Sequence, residues 1–326
     1  MPRVAIVKSL AKVNLDLRVL HQRGDGYHEL RTVFQTISLA DTLEIEYWPA
    51  QRTALSFDGN VDIPDNLILR AARAALDALN VHARVWFRLD KRIPMGAGLG
   101  GGSSNAAAVL LAIPVLAGRS LTMDALLVLA AKLGSDVPYF LTGGTAAGIG
   151  RGTELYPLSE VSEDEILVVS PGLHVATGPA YQSLARGLTL RNWSSSISSF
   201  QAFVRTLGGE RSARVASALS GNDFEAVVFR QHPKLKKILG RLRESGAAGA
   251  RMTGSGSALF AIYGSKAERD SAQRVLEGDR VFESCSVAPA KLVSRRSYQR
   301  LWRRQLRDHL APHNELWPPL SRYDKR

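Results

Sequence analysis

Thiol chemistry is all but missing from this chain: its 326 residues contain one cysteine, Cys285. A lone cysteine can form neither an internal disulfide nor a thiolate-held metal site, which points to a reducing compartment. In VFESCSV, which reads as a strand, it is a small apolar residue rather than a nucleophile. Long hydrophobic runs are missing too. The longest, AAAVLLAIPVLAG from Ala106 to Gly118, is interrupted by Pro114 and is too short to cross a bilayer. The opening MPRVAIVKSLAK sets Lys8 inside its only apolar run, which argues against a secretory signal, so the expected location is the cytoplasm. There is no internal repeat of fixed period. No Gly-Lys-Ser/Thr closes the glycine-rich segment described below, which excludes a Walker A loop.

The remaining composition, 45% hydrophobic, supplies enough apolar material for a packed core. The net charge of +12 is unevenly placed. From Lys291 to Arg326 there are ten Lys/Arg against three Asp/Glu, a net +7, so the basic balance describes this tail more than the body.

Period-two alternation predicts strands at 3–8, 12–20, 32–39 and 42–48, the last two joined as a hairpin at Ala40-Asp41. Helical spacing covers 66–79, with Asp65 as a candidate N-cap. A strand at 83–89 leads into a glycine-rich loop at 93–102, then helices at 103–116 and 123–133. The second half carries strands at 166–170, 250–253, 258–263 and 280–287. Its helices fall at 177–184, 200–207, 234–244 and 266–276. Strands joined as hairpins, without a clean βαβ repeat, imply an α+β fold.

The segment PMGAGLGGGSSNAA, Pro94 to Ala107, carries the most information. Five glycines, Gly96, Gly98, Gly100, Gly101 and Gly102, sit between a strand and a helix. Glycine lets backbone N–H groups turn toward an anion, and the following helix aims its positive end at the same place. Gly96, Gly98 and Gly101 also match the dinucleotide pattern G-x-G-x-x-G. That reading needs an acidic residue at the end of a second strand, and Asp124 lies in a helical stretch instead.

Pro94, Gly98, Leu99 and Gly100 resemble the second signature of the GHMP kinase superfamily. The form GLGGGSSNAA is similar to the members that phosphorylate a cytidine-diphosphate-linked methylerythritol. Ala11 to Glu46 resembles their N-terminal signature, LGSDVPYF (Leu133 to Phe140) their catalytic aspartate segment, and ARMTGSGSALFA (Ala250 to Ala261) the C-terminal glycine motif. The resemblance runs from about Pro2 to Pro289. It implies a two-domain α+β GHMP fold, with an ATP-binding domain at 1–159, a second domain at 160–290 and a basic extension at 291–326. It implies transfer of the ATP γ-phosphate to the acceptor's 2-hydroxyl, with Mg²⁺ bound to the nucleotide, in the non-mevalonate route to isoprenoid precursors.

The same resemblance assigns Asp136 and Lys12 to catalysis, the ammonium holding the carboxylate ionised and stabilising charge in transfer. It assigns Pro94, Met95, Gly96, Ala97, Gly98, Leu99, Gly100, Gly101, Gly102, Ser103, Ser104, Asn66 and Lys91 to ATP, although Asn66 is equally well explained as a helix-start residue. Asn14, Tyr27, His28 and Thr177 fall to the acceptor, with an aromatic face for the base and an imidazole for its edge. Many superfamily members place serines directly after Gly-Leu-Gly. Gly101 and Gly102 stand there in this chain, so the metal-ligand role has no residue to pass to.

In the extension, Tyr298, Trp302, Leu306 and Leu310 fall four apart on one helical face, with arginines elsewhere. A helix packed on the body fits this pattern, and so does a basic surface for an anionic membrane, nucleic acid or a partner subunit. The kinase reading implies a small-molecule acceptor, no nucleic acid, no membrane span, and a monomer or homodimer. The alternatives are another GHMP kinase, for homoserine or mevalonate-type alcohols, and a noncatalytic nucleic-acid binder using the tail.

Overall fold

Two long strands set the frame of the computed structural model, which describes residues 1–161, 164–188, 193–208, 219, 221–312 and 315–324. Strand β1 (Arg3–Gln22) pairs antiparallel with β2 (His28–Pro49) along nearly its whole length. The alternation pattern divides each strand in two, and the chain instead runs through both breaks. Between Leu10 and Lys12 the register shifts, so β1 is irregular there without ending. At the expected hairpin turn, Ala40 pairs with Leu10 and Asp41 with Ser9. Asp41 is fully buried, and its carboxylate accepts the backbone amides of Arg92 and Ile93, each at 2.8 Å. A residue read as a turn former is held in the strand by these distant donors.

The first sheet runs β3 (Ala54–Gly59), β4 (Ala83–Asp90), β2, β5 (Thr145–Gly150), β6 (Glu154–Pro157), with β1 on the other side of β2. The pairing of β3 with β4 is parallel and the other pairings are antiparallel. Helices α1 (Leu67–Ala78), α2 (Gly101–Ala117), α3 (Met123–Leu133) and the single turn α4 (Val137–Phe140) complete this half. Helix α2 is apolar on every side and buried from Ser104 to Leu116, as expected for a helix enclosed by protein. Asn66, not Asp65, caps α1: its side chain accepts the Ile68 amide, while Asp65 sits at φ 50° and pairs with Arg70.

The second sheet, antiparallel among its described strands, is ordered β10 (Ser286–Lys291), β7 (Glu165–Ser170), β9 (Leu259–Tyr263), β8 (Gly249–Met252). Around it lie α5 (Thr177–Leu188), α6 (Trp193–Gly208), α7 (Glu225–Gln231), α8 (Pro233–Glu244) and α9 (Lys266–Glu277). The strand expected at 280–287 is instead a 3₁₀ turn at Arg280–Phe282, and β10 begins at Ser286. Cys285 lies between them, partly buried, with its thiol pKa raised by that burial, as suits an unreactive side chain.

An apolar cluster fills the seam between the sheets. Val13, Leu15 and Ile37 from the first meet Ile166, Val168 and Phe260 from the second, and Leu99 of the glycine loop joins them. The extension also packs on the body. Its helix α10 (Arg295–Leu306) buries Tyr298, Trp302 and Leu306 in the core of the first half, while Leu310 lies beyond the helix and is only partly buried. The packed helix is observed, and Arg296, Arg300, Arg304 and Arg307 stay exposed.

Candidate active site

The glycine loop lies at the seam because both halves grip it. Lys12 donates its backbone N–H to the Leu99 carbonyl, and Ala258 donates to the Ala97 carbonyl. The fit to the second half is close: a Cβ at Gly98 (φ 79°) would sit 2.4 Å from the Thr253 carbonyl oxygen. The loop's last residue, Gly100, takes the left-handed N-cap position of α2 with no side-chain cap. The first amides of α2 therefore have neither a cap nor intrahelical partners.

Two cavities share this loop as a wall. The first, about 350 Å³, is lined by every residue from Pro94 to Ser103, with Asn66, Leu67, Lys91 and Asn105. Lys91, nearly fully buried, pairs with Asp41, and burial lowers its pKa against the opposing pull of that carboxylate. The second, about 640 Å³, is lined by Gly96, Gly98, Gly100 and Ser103 together with Lys12, Asn14, Asp136, Tyr27, His28 and Tyr181.

Lys12 and Asp136 meet in the second cavity. The Lys12 ammonium, 3% exposed, stands 3.5 Å from the Asp136 carboxylate, which is one-third exposed toward the cavity. One strand of alternating residues presents Lys12 and Asn14 on the same face, and Asn14 Oδ1 accepts from Lys12 Nζ at 2.7 Å. Asn14 is also a junction. Its Oδ1 accepts the Gly254 amide, its Nδ2 donates to Thr32, and its backbone N–H donates to Thr253 Oγ1. This links the ammonium to the C-terminal glycine motif.

Aromatic groups line the far end. His28 stacks on Tyr181, with centroids 4.7 Å apart, and Tyr181 meets Phe224 edge-on. His28 Nε2 is buried without a hydrogen-bond partner among the described residues, and burial, helped by nearby His21, lowers the pKa of His28. Tyr27 is half-exposed, with the Arg151 guanidinium 4.0 Å from its ring centre. The arrangement offers an aromatic face and a buried imidazole nitrogen at one end, and a carboxylate–ammonium pair at the other.

The structure brings most of the predicted residues together. Ser104 is the exception: it is buried, donates its hydroxyl to the Leu10 carbonyl, and faces neither cavity. Lys91 and Asn66 reach the first cavity, though the Asn66 side-chain oxygen is engaged as a helix cap. Thr177 opens α5, and its side chain lies outside the described residues. Sequence reasoning missed Tyr181, Arg151, His174 and Phe224. Of these, only Tyr181 had a usable signal, four residues after Thr177 on the same helix. Among the described residues no cluster of three or more His, Cys, Asp and Glu could hold a metal.

Residues 66–144 match the model of the GHMP kinases N terminal domain, and residues 203–279 match the GHMP kinases C terminal model. A 4-diphosphocytidyl-2-C-methyl-D-erythritol kinase of Solibacter usitatus is 50% identical over 99% of this chain and 98% of that relative, so the match runs through the C-terminal extension. The same-named kinase of Pelotomaculum thermopropionicum is 39% identical over 81% of this chain and 90% of its own length. Among solved structures, a 4-(cytidine 5'-diphospho)-2C-methyl-D-erythritol kinase superposes with a TM-score of 0.69 at 37% identity, covering 89% of this chain and 99% of that one. A homoserine kinase from Cytophaga hutchinsonii has a TM-score of 0.70 at 16% identity, a likeness of fold alone.

Proposed function

Since the chain belongs to the GHMP kinases, and within them to the 4-diphosphocytidyl-2-C-methyl-D-erythritol kinase family, we propose that it is the ATP-dependent kinase that phosphorylates the 2-hydroxyl of this acceptor, in the non-mevalonate route to isoprenoid precursors. The observation that carries the reading is the shared wall: one glycine loop separates two cavities and touches both.

In this reading ATP occupies the first cavity, with its phosphates against the backbone amides of Gly98 to Ser103 and the start of α2. The acceptor occupies the second. Its cytosine lies at Tyr27, His28 and Tyr181, and its 2-hydroxyl between Lys12 and Asp136. The hydroxyl oxygen attacks the γ-phosphorus as the β–γ bridging P–O bond breaks, and ADP leaves with that bond's electron pair. The hydroxyl proton passes to Asp136. Lys12 stabilises the charge on the transferring phosphoryl group, and Asn14 holds the ammonium in place. Mg²⁺ would arrive with the nucleotide and would neutralise charge on its phosphates. Of the two loop serines, Ser103 lines both cavities and would be the hydroxyl available to the metal, while Ser104 is engaged with Leu10.

A coupled ADP-release assay tests the proposal with four acceptors: the cytidylated methylerythritol, uncytidylated methylerythritol phosphate, homoserine and mevalonate. Turnover is expected with the first alone. Equal use of the first two refutes base recognition, and preference for either of the others refutes the acceptor assignment.

A further inference from the structure

The extension packs along β1 and reaches α2, and it also touches the segment that carries Asp136. Asp136 is the N-cap of α4, a helix of one turn. A helix leaves its last carbonyls without intrahelical donors; in α4 those of Pro138 and Tyr139 accept from Leu141, Thr142 and Gly143, while those of Phe140 and of Leu141, the C-cap, are reached from the extension. The Tyr298 hydroxyl donates to the Phe140 carbonyl, and Trp317 Nε1 donates to the Leu141 carbonyl at 2.9 Å. Burial raises the pKa of Tyr298 well above the ordinary tyrosine range, so its hydroxyl stays a donor. Arg303 in turn holds the returning chain by donating to the Glu315 carbonyl.

The chain just after α4 is shaped to receive this contact. The Tyr298 ring lies against Gly143, where a Cβ would be only 2.7 Å from the ring. Arg295 pairs with Glu160 and donates to the Thr145 carbonyl. On the site side, the Phe140 ring packs beneath Gly100 of the glycine loop, close to the Lys12 side chain. One turn of helix thus has the extension on one side and both catalytic groups on the other.

We infer that the C-terminal extension is a brace for the catalytic aspartate, in which Tyr298 and Trp317 are positioning residues that set Asp136 against Lys12 by capping α4. The inference rests on the reading of Asp136 as the group that faces the acceptor hydroxyl. Without the caps, a one-turn helix has little of its own to keep its start in register with its end.

The test uses the full chain carrying Tyr298→Phe or Trp317→Phe, with the exposed Arg300→Gln as control. Assays run at 25 °C, where circular dichroism shows each variant folded. Each capping variant is expected to lose kcat by about tenfold, with KM for ATP and acceptor held within about twofold, as for a small misplacement of a catalytic group. Hydrogen exchange in 134–145 is expected to accelerate at least about tenfold while β1 and β2 keep their protection. The control should change neither readout. Unchanged exchange in that segment, or a lower Tm with kcat retained, overturns the brace. If the unaltered protein turns over no cytidylated acceptor, the reading of the reaction fails, and the exchange measurement still decides whether α4 is held from the extension.

Discussion

The two cavities share a wall but differ in material. The first is mostly one stretch of chain, ten consecutive residues from Pro94 to Ser103, much of it glycine backbone. The second is assembled from side chains far apart in sequence: Lys12 and Asn14 on β1, His28 on β2, Asp136 before α4, Arg151 after β5, and Tyr181 on α5. A triphosphate can be held by main-chain amides that a local motif aims. A nucleobase and a sugar alcohol need shaped faces and charges, which come only where two sheets meet.

This contrast can be broken at either end. The largest effect belongs to the chemical pair. Asp136→Ala and Lys12→Ala are each expected to lower kcat by about 10³-fold, roughly 4 kcal/mol of transition-state stabilisation. Urea unfolding should show little change for Asp136→Ala, whose carboxylate is partly exposed. Near-normal turnover in either purified variant removes the pair from the mechanism.

Gly98→Ala comes next, and it attacks the shared wall. The added methyl would meet the Thr253 carbonyl at 2.4 Å in a left-handed backbone. The expected cost is about 2–3 kcal/mol of stability, read from the denaturant midpoint, with a raised KM for ATP. If stability and KM for ATP are both preserved, the interlock of the two glycine motifs is not tight.

The smallest effect concerns the base end and pH. The pKa of His28 is lowered by burial, so the imidazole stays neutral below the ordinary histidine value of about 6.5. Protonation, and with it loss of the neutral ring's accepting nitrogen, sets in only as pH falls further. KM for the cytidylated acceptor should therefore stay level from about pH 8 to 6.5 and rise a few-fold only as pH falls further. The unfolded chain takes up this proton first, so the histidine's contribution to stability begins to fall as pH drops below about 6.5 and is lost as pH passes the folded-state value. A KM that already climbs between pH 7 and 6.5 contradicts a depressed value.

Several elements were readable from the residues because their physics is local. The spacing in α1, α2, α3 and α8 marks helices within a few residues of their observed bounds, and the glycine cluster marks a loop that leads into a helix. The misreadings have a common cause. Ala40-Asp41 has the composition of a turn, but the amides of Arg92 and Ile93 and the ammonium of Lys91 satisfy Asp41 inside the strand. Ser104 has the composition of a phosphate ligand, but one step along a buried helix turns it to the Leu10 carbonyl. In both cases the deciding partners are fifty or more residues away.

Chain order specifies the glycine loop proposed for the phosphates, since glycine's backbone freedom and a helix's leading amides belong to their own few residues. Packing specifies everything that depends on two distant groups sharing a few ångströms. Lys12 comes to stand 3.5 Å from Asp136 in this way, and Tyr298 reaches the carbonyl of Phe140. Burial supplies these contacts: the apolar seam of Val13, Ile37, Val168 and Phe260 joins the sheets around the loop, and Trp302 anchors the extension behind the aspartate. Hydrophobic contact is non-directional, so the residues by themselves do not announce which polar groups it brings together; the Lys12–Asp136 pair was expected by resemblance, and the Tyr298–Phe140 contact was not.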